Sequence, residues 1–212
     1  MNLNLFFPWI AQIIFFSSIL PQIRLNFKLK STKGVSDFLI LGYFYAYTLY
    51  IFYAYCLNLP LAHKVMVPLS LVLVFIMIFQ RFYFSDKKDY ALKLSFLLSI
   101  VFFLSLIPVA LKNSYIVGHI SGWIMISIWA TYQIPQVFKN YSRRSVHGLS
   151  FSLLSITAFG DFTEFLVALY LGLPPQTYLS NFRGLCVYLI FVFQFLKFRT
   201  EDNRSQDRYF SA

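Results

Sequence analysis

Three charged side chains stand where charge is expensive. Asp161 and Glu164 interrupt one long apolar stretch, and Arg183 interrupts the next. Ionisable groups at membrane depth are costly and mark ion or solute pathways. Asp161 and Glu164 are three residues apart, so a helix sets them on one face. Glu164 and Arg183 are equally far from the short connection between their stretches. Antiparallel helices therefore bring these two to one depth. A Glu164–Arg183 pair can be structural, neutralising two buried charges. Alternatively, Arg183 receives a substrate carboxylate or works an outer gate. Asp161 lies a turn deeper, near the midplane, with no obvious partner. It is the candidate ammonium ligand and, with Glu164, the candidate proton-coupling group.

These residues need membrane helices to hold them. The chain has 212 residues, 58% hydrophobic and only 12% charged, whereas soluble domains carry about 25% charge. Seven apolar stretches, at 5–23, 38–57, 65–84, 91–111, 118–138, 149–171 and 176–196, are each long enough to cross ~30 Å of hydrocarbon. The expected class is an all-α polytopic membrane protein with seven transmembrane helices. The first stretch ends in Pro-Gln and charge, unlike a cleaved leader. Cys56 and Cys186 both fall in apolar stretches and read as packing residues.

The net charge of +10 is distributed by topology. Arg24, Lys28, Lys30 and Lys33, then Arg81, Lys87, Lys88 and Lys93, then Lys139, Arg143 and Arg144, and the terminal Lys197, Arg199, Arg204 and Arg208 all fall on one side. The other side holds only Lys64 and Lys112. By the positive-inside rule the N-terminus is outside and the C-terminus cytosolic. This distribution calls for no nucleic acid. The lipid bilayer is the expected partner, with anionic heads near the tail.

A motif is written twice, 114 residues apart. "PQIRLNFKLKSTKGVSDF" begins at Pro21 and "PQVFKNYSRRSVHGLSF" at Pro135. Pro21/Pro135, Gln22/Gln136, Asn26/Asn140, Ser31/Ser145, Gly34/Gly148 and Ser36/Ser150 match in register. "LNLP" at 57–60 falls on "LGLP" at 171–174 with the same offset. The match spans both sides of the membrane and reads as duplication. Three helices reverse the chain's direction, so a second copy of the same orientation needs one extra crossing. The expected plan is 3+1+3: a first repeat over 1–90, a linker helix over 91–114, a second repeat over 115–200 and a cytosolic tail over 201–212. Proline removes a backbone donor and kinks a helix. Pro21, Gln22, Pro135 and Gln136 are therefore candidate hinge and gate residues, with Gln expected to serve the backbone groups that proline frees.

This doubled Pro-Gln, Asn and Ser-x-x-Gly-[Val/Leu]-Ser pattern in seven helices resembles the PQ-loop family, in particular lysosomal exporters of cystine and cationic amino acids. Sugar transporters of the SWEET type share the architecture. The resemblance implies a small-solute transporter that works by alternating access, often coupled to protons. In proton-coupled members an acidic residue stands about a turn before Asp161. Thr157 occupies that place here, so Asp161 is either a substitute or a sign that coupling differs.

The offset predicts what faces the charged residues across the axis. Thr157, Asp161 and Glu164 map to Tyr43, Tyr47 and Tyr50, which share a helix face. Tyr43, Tyr47, Tyr50, Asp161 and Arg183 are the candidate substrate-binding residues, suited to a polar, amine-bearing solute. His119 is a candidate relay or packing residue, and His63 and His147 are expected in loops. Trp9, Trp123 and Trp129 read as packing or interface aromatics. No metal, cofactor or catalytic constellation is legible, so an enzyme is not expected.

The leading expectation is a carrier of an amino acid or similar zwitterion. A sugar facilitator and a cargo receptor of the ER-retrieval type are the alternatives. The charged trio disfavours the sugar, and the lone Arg183 disfavours a receptor that binds peptide tails through several basic residues. A bacterial inner membrane is favoured over a lysosomal or other endomembrane, because no lumenal sequon or sorting signal is visible.

Overall fold

The computed structural model describes the backbone of residues 3–84 and 90–210, and side chains over 6–84, 90 and 93–198. Asp86, Lys87, Lys88 and Asp89 lie outside the described residues, as do the side chains of Arg199, Arg204 and Arg208. Among the described residues every regular element is a helix. A bilayer leaves a spanning segment no water to satisfy its N–H and C=O groups, so these apolar runs close their hydrogen bonds internally.

The chain runs through α1 (Leu3–Leu29), α2 (Asp37–Cys56), α3 (Leu61–Tyr83) and α4 (Tyr90–Lys112). It continues through α5 (Ser114–Thr131), α6 (Ile134–Arg143), α7 (Phe151–Leu171) and α8 (Pro175–Phe210). Six of these helices are long and apolar enough to cross a membrane alone. The seventh span is α5 and α6 in series, broken at Tyr132–Gln133. Pro135 has no N–H to give and crowds the carbonyl of Thr131, one turn back. The equivalent Pro21 sits inside the unbroken α1.

The seven spans form two parallel three-helix bundles joined by α4, the 3+1+3 plan. In the first bundle α3 packs on both α1 and α2, and in the second α8 packs on both α5–α6 and α7. The bundles meet α1 against α7 and α2 against α5. The linker α4 packs along α2 and α5, and its Phe96 stacks edge-on against Phe75 and Phe82 of α3. A cavity of about 560 Å³ among α2, α3 and α4 is lined by apolar side chains such as Phe44, Phe75 and Phe103. It carries none of the charged residues.

The motif loops are built alike. Lys30 (φ 46°) and Arg144 (φ 47°) end α1 and α6 in the left-handed region. Ser31 N–H donates to Asn26 O and Ser145 N–H to Asn140 O, both at 3.2 Å. The Ser31 and Ser145 hydroxyls accept from Lys33 and His147 N–H. The second serine of each motif caps the next helix: Ser36 Oγ accepts from Leu39 N–H at 3.0 Å, and Ser150 Oγ from Leu153 N–H at 3.2 Å. Serine at this position satisfies an otherwise orphaned helix-start donor. We call the side bearing these loops the motif side, and the other the far side.

Candidate functional site

The two repeats are tied together on the motif side by glutamines that cross between them. Gln22 Nε2 donates to Gly148 O at 3.0 Å, and its Oε1 accepts from Ser150 N–H at 2.7 Å. Gln136 Nε2 donates to Gly34 O at 3.0 Å, and its Oε1 accepts from Ser36 N–H at 2.6 Å. Each glutamine also donates to the asparagine of its own motif, Asn26 or Asn140, at 2.8 Å. Those asparagines donate at 2.9 Å to Gln80 and Gln194. Gln80 and Gln194 in turn donate to the carbonyls of Ile23 and Val137.

The motif glutamines therefore do not patch their own kinked helices, as expected from sequence; they clamp the partner repeat's loop. Gln80 and Gln194 serve carbonyls two residues past each proline, not the ones the prolines free at Ser17 and Thr131. At the centre Gly34 meets Gly148. A Cβ on Gly34 would stand 2.4 Å from Gly148 Cα, a distance no real side chain tolerates. Gly148 also has φ +86°, which glycine alone adopts cheaply.

Above this clamp lies a cavity of about 30 Å³ between the repeats, room for about two waters. Tyr43, Tyr47 and Tyr50 of α2 line it with Gln12, Phe15, Trp129, Tyr132, Gln133, Thr157, Asp161 and Arg183. Every sequence-predicted substrate residue thus faces one chamber. The expected correspondence across the axis is visible too. Tyr43 has Thr157 and Asp161 as neighbours, Tyr47 has Asp161, and Tyr50 has Glu164. Asp161 is 5% exposed and lies against the backbone of α8, where a Cβ at Gly184 would stand 2.1 Å from its Oδ2. Gly184 exists to admit that carboxylate.

Glu164 and Arg183 do not pair. Arg183 Nη1 donates to Gln133 Oε1 at 2.9 Å, at the break between α5 and α6. Glu164 accepts from Gln12 Nε2 at 3.2 Å and lies 3.4 Å from His63 Nε2. Glu164 and Arg183 lie equally far from the α7–α8 connection but point in different directions around their helices. Three residues turn a helix about 60° short of a full turn, so Asp161 faces α8 while Glu164 faces α1 and α3. No ion pair joins Asp161 to Arg183 either, among the described residues. The chamber therefore holds an acid and a base that do not neutralise each other directly.

The far side is closed by a different set of bonds. Tyr53 and Thr177 hydroxyls are 2.8 Å apart, and Gln176 Nε2 is 3.3 Å from His119 Nδ1. His119 packs its ring on Tyr115 at 4.5 Å. His63, expected in a loop, lies in the first turn of α3 and is wholly buried. Several buried polar atoms around the chamber have no hydrogen-bond partner: Trp129 Nε1, Ser180 Oγ, Asn181 Nδ2 and Arg183 Nε among them. Each such atom costs about 1–3 kcal/mol unless something else meets it. Sequence reading missed Gln12, His63, Trp129, Gln133 and Asn181. Only the odd presence of Gln, Asn and His inside apolar stretches could have flagged them.

Comparison with known proteins agrees with this geometry. The family model "PQ loop repeat" matches residues 3–63 and again 117–177, the same 114-residue step that relates the two motifs. No curated protein matches the chain by sequence. The solved structure of a eukaryotic SWEET transporter superposes with a TM-score of 0.60 at 14% identity, covering 90% of this chain and 99% of that one. This likeness is one of fold. With its helices, its duplicated loops and both matched segments in place, the chain is an integral membrane protein of the PQ-loop repeat family.

Proposed function

We propose that the protein is a transporter that moves a small zwitterion of the amino-acid class by rocking one repeat against the other. The observation that carries this reading is the chamber itself. It lies between the repeats, where internal repeats of transporters hold their solute. It presents Asp161 and Arg183 as separate, opposite charges. A solute ammonium suits Asp161 and a solute carboxylate suits Arg183, each supplying the counter-charge that the other protein group does not. Tyr43, Tyr47 and Tyr50 give aromatic faces for the ammonium.

The chamber's small volume suits an occluded state that must widen to admit solute. The Gln22 and Gln136 clamp is the proposed motif-side gate. Pro21 and Pro135 are the proposed hinges, with the helix break before Pro135 giving the second repeat more freedom. The basic loops favour a cytosolic motif side. A sugar facilitator is the second reading. It is favoured by the SWEET-like fold and by the tyrosine hydroxyls, and disfavoured by two buried charges that a neutral sugar leaves unmet.

Uptake into proteoliposomes tests the proposal, with labelled lysine, arginine, cystine and glucose offered with and without an inward proton gradient. Amino-acid uptake that falls to background in Asp161→Asn is the expected result. Glucose uptake indifferent to that substitution would transfer the protein to the sugar reading.

A further inference from the structure

Beside the chamber, toward the far side, four side chains converge from four helices. Gln12 comes from α1, Tyr50 from α2, His63 from α3 and Glu164 from α7. His63 is 0% and Glu164 1% exposed. His63 Nδ1 is 2.9 Å from the Tyr50 hydroxyl, and its Nε2 is 3.4 Å from Glu164 Oε1. Neither of those last two atoms has another hydrogen-bond partner. Their separation is just beyond the usual 2.7–3.2 Å hydrogen-bond range, and they face only each other.

The charges around this group do not satisfy it. Gln12 and Tyr50 are neutral donors. Tyr53 of α2 is turned to Thr177 of α8. Lys64, next to His63, bonds Asn58 instead. Arg183 is held by Gln133. Asp161, one turn along α7, is a like charge. An ionised Glu164 therefore has no permanent cation beside it, and a lone buried charge is costly. His63 is the group that can supply a positive charge.

Hydrogen accounting gives two arrangements that differ by one proton. In the first, the Tyr50 hydroxyl donates to Nδ1, and Nε2–H points at the Glu164 carboxylate. In the second, Nδ1–H donates to the Tyr50 oxygen, and a proton lies between Nε2 and Oε1, on either atom. The hydroxyl rotates to serve both, so one proton enters or leaves while each ring nitrogen of His63 keeps a partner.

We propose that His63 and Glu164 form a single proton-binding site between the first repeat and the second, beside the chamber and distinct from its Asp161 and Arg183. Loading makes the pair neutral. Unloading leaves a negative charge one turn from Asp161, with His63 Nε2–H still aimed at it. The proton site stands on this geometry; its use in driving uptake rests on the transporter reading above.

Infrared difference spectra of the protein in lipid, recorded across pH steps, test the site without any solute. A protonated-carboxyl band should titrate in the wild type and vanish in Glu164→Gln. In His63→Gln its midpoint should move by at least about one pH unit, a tenfold change in proton affinity. Should His63→Gln not fold, Tyr50→Phe, which removes only the hydroxyl orienting the ring, should move the midpoint in the same direction by less. A band unmoved by the folded His63 or Tyr50 variant, or one lost in Asp161→Asn instead, would overturn the proposal. In proteoliposomes, His63→Gln should lower the ratio of gradient-driven uptake to exchange at equal pH by about tenfold or more; an unchanged ratio would refute the coupling. A wild type that moves no solute yet keeps the titrating band would sink the transporter reading and leave the proton site intact.

Discussion

On the motif side the glutamine crossings that tie the repeats have twins 114 residues away, with untwinned bonds from Lys139 to Val35 O and Arg143 to Lys33 O added at the edge, whereas on the far side the pairs have no twins. Gln22 and Gln136 make the same two crossings to the same loop positions. Asn26 and Asn140 lean on Gln80 and Gln194 in the same way. At equivalent positions on the far side, His63 corresponds to Thr177, Glu164 to Tyr50, Arg183 to Leu69 and Gln12 to Ile126. The difference separates two kinds of requirement. A clamp at the axis needs matched halves, because Gly34 and Gly148 meet each other there. Binding a solute with two unlike ends needs unlike walls. Duplication supplied the clamp twice, and the chemistry diverged between the copies.

The strongest way to break the symmetric half is to fill its centre. Gly34→Val puts atoms where Gly148 Cα already lies. Overpacking of this kind costs about 1–3 kcal/mol or more, which shifts a gate equilibrium by up to about 100-fold. Solute uptake should fall by that order, and a cysteine placed at Lys33 should become more reactive to an impermeant thiol reagent. Normal uptake would mean the loops need not meet.

The asymmetric half is sharpened by Arg183→Leu, which copies the residue at the equivalent position of the first repeat. Loss of a charge-assisted contact to a carboxylate costs about 1.5–3 kcal/mol, so the concentration giving half-maximal uptake should rise about tenfold to a hundredfold. The reciprocal Leu69→Arg should not restore it. Rescue by Leu69→Arg would show that the two walls are interchangeable.

A smaller effect tests the matching itself. Gln22→Leu and Gln136→Leu each strand one buried N–H and one carbonyl of the partner loop, at about 1–3 kcal/mol. Thermal unfolding in detergent should show equal losses for the two. A gap larger than about 1 kcal/mol, beyond the scatter of equivalent sites, would show that the clamp is lopsided.

The repeat, its offset and the helix count were readable because they depend on periodic composition and on residues written twice. The tyrosine wall followed from the same offset. What escaped depends on azimuth and on where a helix starts. The span expected from Val65 begins at Leu61, which carries His63 from a loop into the core. Glu164 and Arg183 share a depth yet face different helices, and hydropathy carries no information on rotation about the helix axis. The role of Gly184 is legible only once α7 is seen against α8. The role of Gln22 escaped because its partners, Gly148 and Ser150, lie in the other copy.

The most direct test of alternating closure is a pair of spin-label distances in a background lacking Cys56 and Cys186. One pair, at Lys33 and His147, spans the motif loops; the other, at Leu61 and Pro175, spans the far side. As a transported solute and a pH gradient are varied, the account predicts that either distance lengthens only while the other stays short. Both distances lengthening together, or neither responding to a solute that the protein moves, would contradict it.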